Sequence, residues 1–93
     1  MIKTFKQKWL ENFFHYGKSK YVPNELKNRL TIKLDMINAV NELKDLRSPP
    51  SNHLHSLHGN REGKWAISVN GPWRLCFQFK DGDIFDLELV QYH

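Results

Sequence analysis

The last third of the chain, KWAISVNGPWRLCFQFKDGDIFDLELVQYH (64–93), decides the fold. Trp65, Ile67 and Val69 fall at every second position, with Lys64, Ala66 and Ser68 between them. That is the period of a strand with one face in a core. Asn70-Gly71-Pro72 breaks the pattern. Trp73, Leu75, Phe77 and Phe79 then share a face, opposite Arg74, Cys76 and Gln78. After Asp81-Gly82, Phe85, Leu87 and Leu89 share another, opposite Asp86, Glu88 and Val90.

Matching the apolar faces sets a register. A two-residue turn at Asp81-Gly82 would face Phe77 with Asp86 and Leu75 with Glu88. A three-residue loop of Lys80, Asp81 and Gly82 pairs Phe77 with Phe85, Leu75 with Leu87 and Arg74 with Glu88. The longer loop, with Gly82 left-handed at a bulge, is therefore expected. Loop 70–72 likewise pairs Val69 with Trp73, Ile67 with Leu75, and Trp65 with Phe77. The product is a three-stranded antiparallel meander.

Upstream, the periodicity changes to that of helices. Ile2–Phe5 has the make-up of an edge strand. Phe5, Trp9, Leu10, Phe13 and Phe14 then recur at helical spacing, and Gly17 is placed to end that helix in a left-handed conformation. Pro23 suits a first helical position, and Leu26, Leu30, Leu34, Ile37, Val40 and Leu43 follow on one face, with Lys27, Lys33, Asp35 and Glu42 at other positions. Ser48-Pro49-Pro50 stops that segment, and residues 48–63 read as a loop. Two helices followed by a meander make an α+β fold, with the helices on one face of a small, mostly antiparallel sheet. Ninety-three residues, of which 40% are hydrophobic, suffice for one domain, 1–93, with one core.

Cys76 is the sole cysteine, which excludes an internal disulfide and a cysteine-based zinc site and suits a reducing cytoplasm. No apolar run reaches the length of a membrane span. Charge is unevenly placed. Residues 1–33 carry eight lysines and arginines against Glu11 and Glu25, whereas residues 81–93 carry four acids and neither cation. A basic N-terminal half suits a polyanion such as RNA, and it equally suits solvated helix faces.

The residues with chemistry to offer cluster in the loop and at the chain end. His53, His55 and His58 crowd one segment, and His93 is the last residue. Histidine is the side chain suited to proton transfer near neutrality. The loop histidines admit three readings: a polar surface, a metal site lacking any acid or cysteine to complete it, or acid–base and phosphate-binding groups joined by Arg61 and Lys64. Arg74 admits two, a cross-strand ion pair with Glu88 or a fixed cation for phosphate. No phosphate loop, nucleophile elbow or dinucleotide fingerprint is present. RNA needs no protein nucleophile, since its 2′-hydroxyl can attack the neighbouring phosphate. The protein then supplies a base, a cation and an acid.

The ordered set LHSLHGNREG (54–63), WAISVN (65–70), WRLCF (73–77) and the terminal Tyr92-His93 resembles the HigB-type plasmid-maintenance toxins of the RelE-like superfamily. LKDLRSPP (43–50) is similar to the GraT branch of that group, and MIKTF (1–5) fits as well. The resemblance spans essentially the whole chain. It implies a RelE-like fold and a toxin of a type II toxin–antitoxin system. It implies cofactor-free, metal-independent cleavage of mRNA in the A site on the small ribosomal subunit and its 16S rRNA, and inhibition by a HigA-like helix-turn-helix antitoxin. By position His55 matches a family catalytic histidine, Arg74 the arginine that steadies the scissile phosphate, and Tyr92 and His93 the last two residues of a terminal Asp-Tyr-His. Gln91 stands where the family has that aspartate, and His58 where it often has lysine. Glutamine carries no charge and cannot act as a base. Two readings therefore stand beside each other: a nuclease of reduced activity, with His58, Arg61 and Lys64 on phosphate, and a module that binds ribosome or antitoxin without cutting.

Overall fold

The computed structural model describes residues 1–57 and 63–92. Helix α1 spans Lys8–Tyr16 and helix α2 spans Lys27–Ala39. Strands β1 (His55–Ser56), β2 (Lys64–Asn70), β3 (Trp73–Lys80) and β4 (Asp83–Gln91) form one antiparallel sheet in sequence order. Leu10 and Phe13 of α1 and Leu30, Leu34 and Ile37 of α2 join Ile67, Leu75, Phe77, Ile84 and Leu87 in one core. The expected α+β layering, helices on one sheet face, is what forms.

The helix boundaries follow the local chemistry. Gly17, at φ 74°, ends α1 and donates its N–H to the Phe13 carbonyl at 2.8 Å. Pro23 precedes a 3-10 turn at Asn24–Leu26, and the α-helix begins only after it. The expected stripe running on through Val40 and Leu43 is broken, because Val40 is extended at ψ 145°. A 3-10 turn at Leu43–Arg47 buries Leu46 instead. Apolar spacing cannot separate these outcomes, since both return side chains to the core.

Three further expectations need correction. Residues 48–63 are not all loop: a 3-10 turn at Pro50–Asn52 is followed by β1, which pairs His55 with Ala66 and Ser56 with Trp65. The meander thus gains a fourth strand, too short to announce itself by alternation. The β3–β4 turn has two residues, not three. Asp81 and Gly82 both lie at positive φ, 53° and 84°, and Lys80 pairs with Asp83. The clash of faces this would cause is removed further along, at a bulge where Asp86 has φ 55°. Ile84 and Leu87 thereby both point into the core, and Leu75 faces Leu89 rather than Leu87. At the other turn Ile67–Leu75 and Trp65–Phe77 pair as expected, while a shift between Ser68 and Asn70 sets Asn70, not Val69, against Trp73.

Ile2–Phe5 lies along β4 through two parallel bridges, Ile2–Ile84 and Phe5–Leu87, instead of forming a continuous strand. Gln7 prolongs the pairing with its side chain: Nε2 donates to the Leu89 carbonyl at 3.0 Å and Oε1 accepts from the Leu89 N–H at 2.7 Å. The exposed edge of β4 is thus covered.

Candidate active site

Directly paired residues of a sheet point to the same side, so the register determines what meets on the face away from the helices. One row runs His55, Ala66, Cys76, Glu88 across the four strands, and the next runs Ser68, Arg74, Val90. Lys64, two residues before Ala66, lies on the same face. His55 and Arg74 are separated by roughly 10 Å across the sheet and 7 Å along it, from ordinary strand spacings. Tyr92 follows β4. Its N–H donates to the Pro72 carbonyl at 2.8 Å, and its hydroxyl lies 3.5 Å from Cys76 Sγ, in the His55 row. The sequence-derived set His55, Arg74, Tyr92 and Lys64 is therefore brought to one surface. Gln91 pairs with Trp73, on the opposite side of the sheet from Arg74, and is exposed. His58, Arg61 and His93 lie outside the described residues.

The ring orientation of His55 is fixed from its own loop. His53 is left-handed at φ 47°, and its carbonyl oxygen lies 2.8 Å from His55 Nδ1. A carbonyl only accepts, so Nδ1 is the nitrogen that donates to it, and in the neutral ring the lone pair falls on Nε2.

Arg74 does not form the expected ion pair with Glu88. The Asp86 bulge advances the register so that Arg74 faces Val90, and Glu88 lies 3.8 Å from Lys6 Nζ. The guanidinium instead anchors Nη1 on two backbone carbonyls, Gly71 at 2.7 Å and Trp73 at 3.1 Å. Among the described residues it meets no carboxylate. Its charge is held in place and left for an anion.

Sequence reasoning missed Lys33, placed there among the polar positions of α2. It is buried, 7% exposed, and donates through Nζ to Oδ1 of the fully buried Asn52. Asn52 in turn donates through Nδ2 to the Leu46 carbonyl at 3.0 Å. Burial, and then the nearby Arg29 charge, hold the Lys33 ammonium below the ordinary lysine pKa. The cross-link ties α2 to the turn that delivers His53 and His55. Nothing short of the partner's identity, nineteen positions away, could have signalled it. No group of three or more metal-ligating side chains is assembled among the described residues, and none of their helices is long and apolar enough to cross a membrane.

This α+β fold recurs in solved bacterial proteins. A mutant YafQ from E. coli superposes with a TM-score of 0.64 at 17% identity, covering 98% of this chain and 91% of the other. A chain of the YoeB-YefM complex from Staphylococcus aureus gives 0.58 at 17% identity, covering 100% and 95%. In sequence, Endoribonuclease HigB of Proteus vulgaris is 39% identical over the full length of both chains. Toxin HigB-1 of Vibrio cholerae is 41% identical over 83 residues, 88% of this chain and 87% of its own. Residues 3–93 match the family described as the RelE-like toxin of the type II toxin-antitoxin system HigB. The chain belongs to that family, and its partner class is an antitoxin.

Proposed function

We propose that this chain is a metal-independent endoribonuclease that cuts mRNA in the ribosomal A site and so halts translation. The observation that carries the reading is the placement of His55, Arg74 and Tyr92 on one sheet face, with His55 oriented through Nδ1 by the His53 carbonyl. The full-length likeness to Endoribonuclease HigB supports the same chemistry.

His55 Nε2 takes the proton of the RNA 2′-hydroxyl, and the resulting oxygen attacks the adjacent phosphorus. Arg74 faces the negative charge that gathers on the non-bridging oxygens, its guanidinium already oriented by Gly71 and Trp73. The bond to the 5′-oxygen breaks, and that oxygen takes a proton from His93, the Tyr92 hydroxyl assisting on the same sheet face as His55. The products are a 2′,3′-cyclic phosphate and a 5′-hydroxyl, so no water, metal or cofactor is consumed. His58, Arg61 and Lys64 hold flanking phosphates. The inhibitor is a HigA-like helix-turn-helix antitoxin, and the setting is the cytoplasm.

Cleavage of mRNA on programmed ribosomes, read by primer extension, tests the assignment. Codon-positioned cuts that His55→Ala abolishes support it. A wild-type protein that binds ribosomes and leaves the message whole would identify a binding module instead.

A further inference from the structure

Beside Arg74 the chain folds a second basic feature, which adds Arg29, Ser51 and His53 from outside the motif stretches. A cleft of about 240 Å³ opens between α2, the Pro50–Asn52 turn and the β2–β3 turn. Arg29, Ser51, His53, Ser68, Asn70 and Arg74 line it, and no carboxylate does. Among the described residues neither Arg29 nor Arg74 takes part in an ion pair. Ser68 is only 9% exposed, and among the described residues its hydroxyl has no hydrogen-bond partner. A buried hydroxyl is ordinarily satisfied, so an orphan in the wall of a cleft points to a ligand. Two guanidiniums, an imidazole and two hydroxyls with no acid between them are the donors that a phosphate accepts from.

We propose that this cleft binds a phosphate of the RNA chain next to the one being cut, with Arg29 as its distal cation and the Ser68 hydroxyl as its buried donor. The proposal rests on the nuclease reading above for the identity of the polyanion. Arg74 borders both places, and can serve the scissile phosphate while Arg29 holds its neighbour. One turn further along α2, Lys33 ties the helix to Asn52 of the Pro50–Asn52 turn, across the cleft's base. The cationic wall is thus braced from within the core. Successive phosphates held on two fixed arginines would set the position of the chain relative to His55, which makes Arg29 a positioning residue and not a catalytic one.

Two measurements test it separately. In the first, inorganic phosphate is titrated into the whole protein at constant ionic strength, and the amide resonances of Ser68, Asn70 and Gly71 are followed. Wild type should show saturable shifts, with affinity about tenfold weaker in Arg29→Gln and in Ser68→Ala, the usual loss for one charge-assisted or buried hydrogen bond. Absence of saturable shifts in wild type overturns the site. Arg29 is exposed, so Arg29→Gln leaves the core intact. In the second, mRNA cleavage on programmed ribosomes should show KM about tenfold higher for Arg29→Gln with kcat little changed. Lost phosphate binding with unaltered KM would mean a free-anion site that RNA does not use, which overturns the proposal and leaves the nuclease reading standing. Retained phosphate binding in a protein that cuts no message would remove the nuclease reading, and with it the RNA assignment, but not the anion site.

Discussion

His55 Nδ1 lies 2.8 Å from the carbonyl oxygen of His53, two residues back in the same loop. This contact selects the tautomer of the neutral ring and orients it without a carboxylate. A carbonyl from a left-handed turn does here the orienting work that an acidic side chain often does in other histidine sites. It follows that the base needs little from position 91.

His55→Ala should lower single-turnover cleavage by at least about 10²-fold, the ordinary worth of a positioned base. Gln91→Asp should change it by less than about threefold, because the residue pairs with Trp73 on the other side of the sheet and a carboxylate there is solvated. A rise of tenfold or more with Gln91→Asp would show that the chain end brings position 91 to the reacting phosphate.

Arg74→Ala should cost about 10²–10³-fold in kcat, as expected for a fixed donor facing transition-state charge. The fold should persist, since the side chain lies off the helix face of the sheet and makes no ion pair among the described residues. Arg74→Lys should recover only part of the rate, because the charge returns without the planar fork. Circular dichroism and melting of each variant separate this outcome from loss of structure, and an unfolded Arg74→Ala protein would contradict it.

The Asp86 bulge makes a stability prediction. A side chain at φ 55° is strained, and the Asp86 N–H is committed to Thr4 Oγ1 at 2.7 Å whatever residue stands there. Asp86→Val should destabilise by about 1–2 kcal/mol, while Asp86→Gly should be neutral or stabilising. Urea unfolding would read the difference, and equal stability of the two variants would argue against the left-handed bulge.

Lys33 imposes a pH dependence. Its pKa is lowered in the folded chain from the ordinary 10.5, through burial and then the charge of Arg29. Between the lowered folded value and 10.5 the unfolded chain holds more protons, so this contribution to stability rises with pH across that window and is flat below it. Wild type should therefore gain stability relative to Lys33→Met as pH climbs through the lowered folded value towards 10.5, whatever the offset from leaving Asn52 without its donor. A difference that stays constant with pH would show that Lys33 is solvated.

Much of this was legible in the residues. Alternation through Trp65–Val69 and Trp73–Phe79 fixed the second hairpin partner, and Gly17 marked the end of α1. What escaped had a physical reason. A bulge at one residue resets parity downstream, so the Phe85, Leu87, Leu89 face read from spacing was in truth Ile84, Leu87, Leu89. That error carried the Arg74–Glu88 pairing with it. Strand β1 has two residues, too few for a period. His55, Arg74 and Tyr92 were visible through their family pattern, whereas Arg29 looked like one more lysine-rich helix surface. Its meaning depends on Ser68 and Ser51, which only the fold brings beside it.

Cleavage of RNA by its own 2′-hydroxyl, with protein side chains alone supplying the base, the cation and the acid, is read most directly from the end-group chemistry of mRNA cut on programmed ribosomes in the presence of EDTA. Fragments ending in 2′,3′-cyclic phosphate and beginning with 5′-hydroxyl, at an undiminished rate, are the predicted result. Loss of cutting in chelator with recovery on adding zinc, or fragments bearing 5′-phosphate, would contradict it.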